Sequence, residues 1–567
     1  MDMRARRWRV RPPIPPSLAA HFPHPSSLMA QLLYNRDIVE PGEARSFLQG
    51  GELEPNPFRL KGVTAAVTRL RRAIRKDESI AVFGDFDADG VTATAVLVQT
   101  LRALGARVQP YIPHRVEQGY GLQLDALRHL YRQGVRVLVT VDCGIRAISQ
   151  IEQARRGLDI IVTDHHSVGP QLPPALAVIN PKQPDCPYPF KRLAGSGVAF
   201  QLARALLRAN ASSPLGEPVT LQEEELLDLV ALGTVADVVP LIGENRALVT
   251  RGLERLNQAQ RAGVCALLDQ ARIRPGEVTA TGISFVLGPR LNAAGRLDTA
   301  MLSYKLLTSP SLEDAKPLAE ELEALNQERR RLTEEALQQA REQVMVEPLL
   351  PLLFAAHEGF HPGVVGLVAN RLTEEFYRPS VVVTLGDELS RGSARSVPEF
   401  HIAHAFDECA NLLERYGGHA AAGGFSIRNE NLPAFRDQLL AIAERKLDSE
   451  ELVPTLDIDL EVELKEVDWA TQALVGQMEP CGQGNPRPLF LSRNVQLREA
   501  RAVGQEGRHL RLLLTDGRAV WNGIGFRLGS WATRLGERLD IVYTIEANEW
   551  NGERRLQLNV QDLRPSD

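Results

Sequence analysis

Residues 79–100 read SIAVFGDFDADGVTATAVLVQT. A short apolar run, Ile80–Phe83, is typical of a buried strand, and the segment after Gly90 has the character of a helix start. In open α/β sheets, ligands gather at the carboxyl ends of strands, which is where this motif places Asp85, Asp87 and Asp89. Three carboxylates so close together repel one another unless a cation or protons compensate. The alternative interpretation is a solvated acidic turn or a helix cap.

Further short apolar runs follow this motif, most of them separated by helix-length segments. They span Val108–Ile112, Val135–Val141, Ile160–Thr163 and Ala177–Ile179. Strand-like runs that alternate with helical segments predict an α/β domain built on a doubly wound, largely parallel sheet.

Polar clusters follow two of these runs and one helical stretch. Asp142 comes after Val135–Val141, Asp164-His165-His166 comes after Ile160–Thr163, and Asp237 lies within residues 221–270, which are predicted to be helical. A single aspartate at a strand end is often only a cap, and a histidine pair is often only polar surface. Because strand ends in one sheet share an edge, the clusters taken together predict side chains that converge.

The ligand types indicate which metals fit. Carboxylates and imidazoles without a thiolate suit Mn²⁺ or Mg²⁺, and suit Zn²⁺ or Fe²⁺ less well. Five or more such ligands exceed what one catalytic ion needs, so we expect two ions roughly 3.5–4 Å apart, a pair suited to phosphoester hydrolysis. Neither G-x-S-x-G nor G-x-x-x-x-G-K-[ST] occurs, which disfavours acyl transfer and P-loop chemistry.

The remainder of the 567 residues predicts further domains, about three to five in all. The charged stretch 312–346 predicts an exposed connecting helix, residues 350–450 a smaller α/β unit, and the short alternating runs after Pro454 a small β-barrel. A net charge of −6 still permits a local basic groove for nucleic acid. We place the boundaries at 1–65 (an arm with short helices), 66–305, 306–348, 349–452 and 453–567.

The cellular setting follows from cysteines and apolar segments. Five scattered cysteines without a C-x-x-C pair favour a reducing cytoplasm over a disulfide framework. The basic, proline-rich start lacks the apolar core of a secretory signal, and no stretch approaches the ~20 apolar residues of a membrane span. We therefore expect a cytoplasmic protein without membrane association, and a monomer.

The motifs together resemble a known family. DFDADG, VDCG, DHH and ALGTVADVVPL are similar, in order, to the four motifs of the DHH phosphoesterase superfamily, and closer still to bacterial RecJ single-strand-specific exonucleases. GPRLNAAGR (288–296) resembles the family's linker motif, GGHAAAGG (417–424) its DHHA1 signature, and CGQGNP (481–486) the motif of its C-terminal OB-type domain. The resemblance covers about residues 70–567 and names the predicted domains DHH, DHHA1 and OB.

This resemblance implies a reaction and a setting. Relatives of this kind hydrolyse single-stranded DNA from the 5′ end to mononucleotides, with Mn²⁺ or Mg²⁺, in DNA repair and recombination. It also implies a single-strand-binding protein and a helicase as partners. Metal ligands at the matching positions would be Asp85, Asp87, Asp89, Asp142, His165 and Asp237. Asp87 and Asp89 are favoured over Asp85, whereas His166 would contact the scissile phosphate or support the water. The catalytic set that the resemblance implies is Asp142, His165, His166 and Asp237.

Nucleic-acid contacts are expected from arginines, whose planar fork suits phosphate. The candidates are Arg115, Arg290, Arg296, Ser393, Arg395 and His419. For any one arginine the alternative is a surface salt bridge. The family commonly has Ser-Gly-Arg where this chain has Ser393-Ala394-Arg395, so the added methyl is expected to alter a local turn. In the barrel, arginines lie near Trp521, Phe526, Tyr543 and Trp550, which suits a single strand, although most of these rings are expected in the core.

Two other functions stay open at this point. One is a small-substrate DHH enzyme acting on cyclic dinucleotides, short RNA or pyrophosphate; such relatives usually lack the third module. The other is a scaffold that has lost its metals, which the full set of ligand types disfavours.

Overall fold

The computed structural model describes residues 6–19, 21–22, 26–115, 119, 121–345, 349–447, 452–550 and 553–566. The chain forms two compact units. One comprises Glu54–Asp237 and Arg251–Pro454, and the other comprises Arg6–Leu53, Val238–Thr250 and Thr455–Asp567. In the described part of the chain, none of the helices combines the length and apolar character needed to cross a membrane.

The N-terminal residues belong to the second unit and do not form a separate arm. Strand β1 (Arg7–Val10) pairs in parallel with residues 455–458. Helices Ser27–Tyr34 and Pro41–Leu48 bury apolar side chains against Met478 and Cys481. Proline lacks the backbone N–H that helices and sheets need, so this proline-rich start is ordered through its packing against the C-terminal segment. A one-turn helix, Pro16–Ala19, lies between them and β1.

The first unit contains the predicted parallel sheet. Its strands lie within two residues of the predicted runs and are β2 (Ser79–Gly84), β3 (Val108–Tyr111), β4 (Val135–Val141), β5 (Asp159–Thr163) and β6 (Ala177–Ile179). Their order is β3-β2-β4-β5-β6, and all four pairings are parallel. The carboxyl ends of β2, β4, β5 and β6 therefore share one edge.

Helices surround this sheet and continue beyond it. Ala88–Ala103 is buried almost all round, as expected for a helix of mainly small apolar residues. The segment 221–270 is helical, as predicted. The helices are Pro57–Arg59, Val63–Arg75, Ala88–Ala103, Leu124–Arg132, Ile148–Ala154, Gly195–Ser212, Glu223–Leu226, Leu227–Ala236, Gly243–Gln258, Ala262–Ala271, Ala280–Gly282, Ile283–Leu287, Gly288–Leu297 and Met301–Leu307.

The long connecting helix spans Leu312–Val344, with Ser311 as its N-cap. It is less exposed than its charge predicts, because one face is buried through small residues, including Ala315, Ala319 and Ala340. Small side chains allow neighbouring helices to approach closely. Leu322 and Leu337 are buried on the same helix, whereas Leu318 and Leu325 are only partly buried.

The smaller α/β domain follows this helix. Its strands are β7 (Leu353–His357), β8 (Ser380–Thr384), β9 (Leu389–Arg395), β10 (Arg415–Gly418) and β11 (Ala422–Arg428), in the order β10-β11-β9-β8-β7. Only β7 and β8 are parallel. The helices are Val365–Phe376, Ile402–Glu408, Ala410–Leu412, Asn429–Asn431 and Leu432–Lys446. A core around Phe406, Phe425 and Phe435 lies against the sheet.

The C-terminal domain is the predicted barrel. Its strands are β12 (Thr455–Ile458), β13 (Leu460–Glu461), β14 (Phe490–Val503), β15 (His509–Thr515), β16 (Val520–Gly525), β17 (Arg538–Trp550) and β18 (Glu553–Pro565). Because β14 pairs with both β15 and β17, the strands β14, β15, β16, β18 and β17 close into a ring. Helices Leu464–Glu466, Trp469–Gly476, Gln505–Gly507 and Gly529–Thr533 cover it.

A buried arginine ties the segments of the second unit together. Arg246 is 1% exposed and stacks its guanidinium 3.9 Å from the centroid of the Phe47 ring. It donates to five backbone carbonyl oxygens, those of Phe47, Gln477, Met478, Glu479 and Pro480. Burial lowers its pKa to about 10, so the guanidinium stays charged at neutral pH.

Candidate active site

The turn after β2 is built around a close backbone contact. Asp87 caps the helix Ala88–Ala103, because its Oδ1 accepts from the backbone N–H groups of Asp89 and Gly90, both at 3.0 Å. A Cβ at Gly90 would lie 2.5 Å from the backbone oxygen of Asp85, so only glycine fits. The tight turn directs the buried side chains of Asp85 and Asp89 towards the same edge of the sheet.

Asp142 follows β4 in a left-handed backbone conformation, with φ of +60°. Aspartate tolerates this region better than most residues with a Cβ. The side chain is buried under the start of helix Gly195–Ser212, where a Cβ at Gly195 would lie 2.6 Å from the Asp142 Cβ. Glycine at 195 thus lets the helix close over Asp142.

Asp89 and Asp237 complete the acidic set from two helices. The two oxygens of Asp89 accept from the backbone N–H groups of Gly195, at 2.6 Å, and Ser196, at 2.8 Å, the favourable position for an anion at a helix N-terminus. Asp237 is the C-cap of helix Leu227–Ala236. A Cβ at Gly233 in that helix would lie 2.8 Å from Asp89 Oδ1. Glycine at this position therefore allows the helix to pack closely against Asp89.

Asp164 is not placed as a metal ligand, although it stands in the DHH triplet. Its Oδ1 accepts from the backbone N–H groups of His165 and His166, and its Oδ2 accepts from that of Ile145 at 2.9 Å. It also lies 2.8 Å from His166 Nδ1. Sequence reasoning did not assign it a role; its position shows that it orients the two histidines.

The predicted ligands converge. His165 Nε2 lies 3.0 Å from Asp142 Oδ1, 3.6 Å from Asp237 Oδ2 and 4.0 Å from Asp89 Oδ2. Three overlapping groups have ligand atoms within 4.8 Å of one another. They are Asp85, Asp87 and Asp142; Asp89, His165 and Asp237; and Asp142, His165 and His166. Asp142 and His165 each belong to two of these groups, so the three groups form one continuous set of side chains.

These side chains fit cations, because several buried atoms lack another partner. Asp85 Oδ1, Asp142 Oδ1, Asp237 Oδ2 and His165 Nε2 are buried and have no hydrogen-bond partner beyond their contacts with one another, an arrangement that is costly without a compensating ion. Burial, and then repulsion by neighbouring aspartates, raise the pKa values of Asp85, Asp142 and Asp237 well above the usual range.

The two histidines differ electrostatically. Burial lowers the pKa of His165 to about 3, so it is the neutral imidazole that a metal requires. Burial also acts to lower the pKa of His166, but the hydrogen bond and charge of Asp164 outweigh it and the net shift is upward. The His166 side chain is 35% exposed, so this imidazole faces the opening of the site.

Four arginines gather beside the Asp87 end of the acidic set; we call them the arginine group. They are Arg115, Arg296, Arg329 and Arg395. Arg115 lies 4.7 Å from the centroid of the Phe86 ring. Burial, and then the charges of the other three, lower the pKa of Arg296 to about 9, while Asp87 opposes the shift. Mutually repelling cations around one space are typical of a site for a highly charged anion.

Arg329 was missed by sequence reasoning and Arg290 was favoured instead. Arg290 is 7% exposed, and its Nε donates to Glu323 at 2.6 Å. It therefore connects the helix Gly288–Leu297 with the long helix. Arg329 stands in a run of three arginines, and nothing in that run distinguishes the one that turns inward.

The Ser393-Ala394-Arg395 segment is a regular strand, and the expectation of an altered turn is wrong. Ala394 pairs with Val381 and Gly423 in register. Because side chains alternate along a strand, the Ala394 methyl points into the domain core, while Ser393 and Arg395 share the other face. Arg395 Nη1 lies 3.4 Å from Ser393 Oγ.

His419 lies in the tight loop between β10 and β11, and its backbone N–H donates to the Ala422 oxygen at 2.8 Å. Its ring is exposed. Burial, and then the charges of His166 and Lys182, lower its pKa. The charges of His166 and Lys182 thus act on His419 of the smaller α/β domain, and Lys182 is a cation that sequence reasoning missed.

The barrel rings divide as expected between core and surface. Tyr543 is buried, with its hydroxyl 2.9 Å from Ser492 Oγ, and Trp521 packs on the core. Phe526 is 56% exposed and makes an edge contact with His509. The side chain of Trp550 lies outside the described residues.

Comparisons with known proteins agree with this arrangement. Three families match: the DHH family N-terminal domain over residues 79–234, the DHHA1 domain over 343–445, and the RecJ OB domain over 458–562. The single-stranded-DNA-specific exonuclease RecJ of Bacillus subtilis is 38% identical over 551 residues, 96% of this chain and 69% of the relative. RecJ of Escherichia coli is 37% identical over 526 residues, 89% of this chain and 91% of the relative.

A solved structure matches almost the whole length of this chain. The crystal structure of RecJ in complex with Mn²⁺ from Thermus thermophilus superimposes with a TM-score of 0.85 at 32% identity, covering 99% of this chain and 80% of that one. A second structure of that protein, with Mg²⁺, has a TM-score of 0.79. The chain therefore belongs to the RecJ family of single-stranded-DNA-specific exonucleases.

Proposed function

We propose that this chain is a metal-dependent exonuclease that hydrolyses single-stranded DNA from its 5′ end to mononucleotides, in DNA repair and recombination. One observation carries the proposal. The buried, unpartnered carboxylate and imidazole atoms converge beside the arginine group, so a place for cations adjoins a place for a phosphate. The family membership supplies the nucleic acid.

The cations are Mn²⁺ or Mg²⁺, and their ligands are Asp85, Asp87, Asp89, Asp142, His165 and Asp237. This set of five carboxylates and one neutral imidazole suits hard or borderline ions. Bound there, two ions would supply a water of lowered pKa and neutralise charge on the phosphoryl oxygens. The matched RecJ structures are complexes with Mn²⁺ and with Mg²⁺, which supports these two kinds of metal.

The protein's own groups hold the substrate. Burial acts to lower the pKa of His166, but Asp164, 2.8 Å from its Nδ1, outweighs burial and favours the protonated ring, whose Nε2–H would donate to a non-bridging oxygen of the scissile phosphate. Arg115, Arg296 and Arg395, with Ser393, are suited to a terminal phosphate, which carries more charge than an internal one. His419 closes the site from the second domain.

A terminal phosphate held at one side of the metal site sets the direction of cutting. The 5′ polarity comes from family membership, and the arginine group is consistent with it, because a fixed end places the first phosphodiester at the carboxylates. The barrel at residues 458–562 favours a long strand over the cyclic dinucleotides, short RNA or pyrophosphate that smaller DHH enzymes use.

The proposal is tested with 5′- and 3′-labelled single and double strands, in Mn²⁺ and in Mg²⁺. We expect early release of the 5′ label as a mononucleotide, from single strands only. Asp142→Asn and His165→Ala should abolish release while the protein stays folded; asparagine keeps the left-handed backbone at 142. Full activity in both variants would refute the metal assignment, and preference for a dinucleotide over a strand would favour a small-substrate enzyme.

The wider setting belongs to the same proposal. A single-strand-binding protein and a helicase are expected partners, because either one presents single strands to such an enzyme. A cytoplasmic location is supported by five free cysteine thiols, four of them buried.

A further inference from the structure

A fourth strand end meets the metal-site edge of the first sheet. Asn180 follows β6 and is fully buried. Its Nδ2 donates to the backbone oxygen of His166 at 2.9 Å, and its Oδ1 accepts from the backbone N–H of Lys182 at 2.8 Å. These two shielded bonds fix the backbone of Lys182 to the loop that carries the site histidines.

The Lys182 side chain is exposed, and its backbone is held through Asn180 beside the loop that carries His165 and His166. Burial of its inner part lowers its pKa, while the charges of Asp237 and Asp164 oppose that shift. Lys182 also acts on His419, whose pKa it lowers. Its charge therefore acts on Asp237 of the first domain and on His419 of the smaller α/β domain.

Lys182 and the arginine group border different parts of the acidic set. Arg115 lies over Phe86, between Asp85 and Asp87, and Arg296 senses Asp87. Lys182 is instead joined through Asn180 to His166 and senses Asp237. A phosphodiester centred on the carboxylates thus has arginines on one side and a lysine on the other.

We propose that Lys182 binds the backbone phosphate on the 3′ side of the scissile one, so that the strand is held on both sides of the bond that is cut. This inference rests on the proposed function. Arginine forks fix a phosphate in one geometry, which suits a terminal group that must be recognised. A lysine is a flexible point charge, which suits an internal phosphate that must move forward by one nucleotide after each cut.

The test compares two substrates that differ by that phosphate. A 5′-phosphorylated dinucleotide has no phosphate beyond the scissile one, whereas a 5′-phosphorylated pentanucleotide has several. For Lys182→Met we expect KM for the pentanucleotide to rise about tenfold, the loss of one charge-assisted hydrogen bond, with KM for the dinucleotide unchanged. The slope of log KM against log salt should fall by about 0.7. Lys182→Arg should restore most of the affinity.

Lys305→Met is the matched control, since Lys305 is an exposed lysine elsewhere on the same domain. Mn²⁺ binding and the melting temperature of each variant establish that the site and the fold are intact. Equal losses on both substrates would overturn the proposal, because Lys182 would then act on the scissile phosphate. An unchanged KM for both substrates would also overturn it. If wild-type protein degrades no single strand, the proposed function fails, and this is seen before any variant is compared.

Discussion

Lowering the pH provides a direct test of the metal site. The pKa of Asp89 is raised to about 6, first by burial and then by repulsion from Asp87. A cation must displace the proton before it can bind the carboxylate. With that pKa, Asp89 is about nine-tenths ionised at pH 7 and about one-tenth ionised at pH 5. The affinity for Mn²⁺ should therefore fall about tenfold over this interval from Asp89 alone, and more steeply with Asp85, Asp142 and Asp237 included.

The same pKa has a consequence for stability without metal. A carboxyl whose pKa is raised on folding stabilises the folded state fully when the pH is below the pKa of the unfolded state. This stabilisation is lost as the pH rises through the pKa of the folded state. A shift from 3.8 to about 6 corresponds to about 3 kcal/mol, which destabilises the metal-free protein above pH 6. Mn²⁺ should accordingly raise the melting temperature more at pH 7.5 than at pH 5.

Titration calorimetry with Mn²⁺ at pH 5, 6, 7 and 8 measures this effect, and circular dichroism at each pH shows that the protein is folded. In Asp89→Asn, the slope of log affinity against pH should be smaller by about one below pH 6, because one titrating group is gone. An Mn²⁺ affinity that stays constant from pH 5 to 8 in folded protein would refute the reasoning, since it would mean that protons and cations do not compete for these carboxylates.

Three further predictions concern packing. Gly195→Ala places a Cβ 2.6 Å from that of Asp142. The substitution should therefore cost about 1–3 kcal/mol of stability and weaken Mn²⁺ binding. Calorimetric Mn²⁺ binding equal to that of the wild type would contradict this prediction. Arg246→Met removes donors to five carbonyl oxygens and should lower the free energy of unfolding by at least about 3 kcal/mol in urea titrations; an unchanged midpoint would contradict this. Ala394→Gly should cost about 1–2 kcal/mol with KM for single strands unchanged, and an altered KM would show that the methyl faces the substrate.

Much of the fold can be predicted from the sequence, because strand and helix periods are local properties. The apolar runs before Asp85, Asp142 and Asp164 are strands within two residues of their predicted bounds. Their polar residues share an edge because parallel strands align their carboxyl ends. Asp237 is different, since it follows a helix. Periodicity predicted that helix but not its direction, and only the family motif selected Asp237 for the site.

What could not be predicted depends on tertiary partners. Arg290 and Arg329 are both arginines in helices, and Glu323 decides that the first has a structural partner. Lys182 and Asn180 follow a three-residue strand, β6, and become significant only once that strand lies beside β5. Ala394 is similar, because its effect depends on which face of β9 it occupies, and the motif alone does not reveal that β9 is a strand.

The left-handed backbone at Asp142 also limits how an enzyme of this kind can lose its activity. At φ of +60°, most residues with a Cβ are strained by about 1–2 kcal/mol, and only glycine, asparagine and aspartate adopt the conformation routinely. A descendant that abandons catalysis but keeps the fold should therefore carry asparagine or glycine here. Under the proposed metal assignment, either residue would mark the position of the former ligand after the other carboxylates had changed.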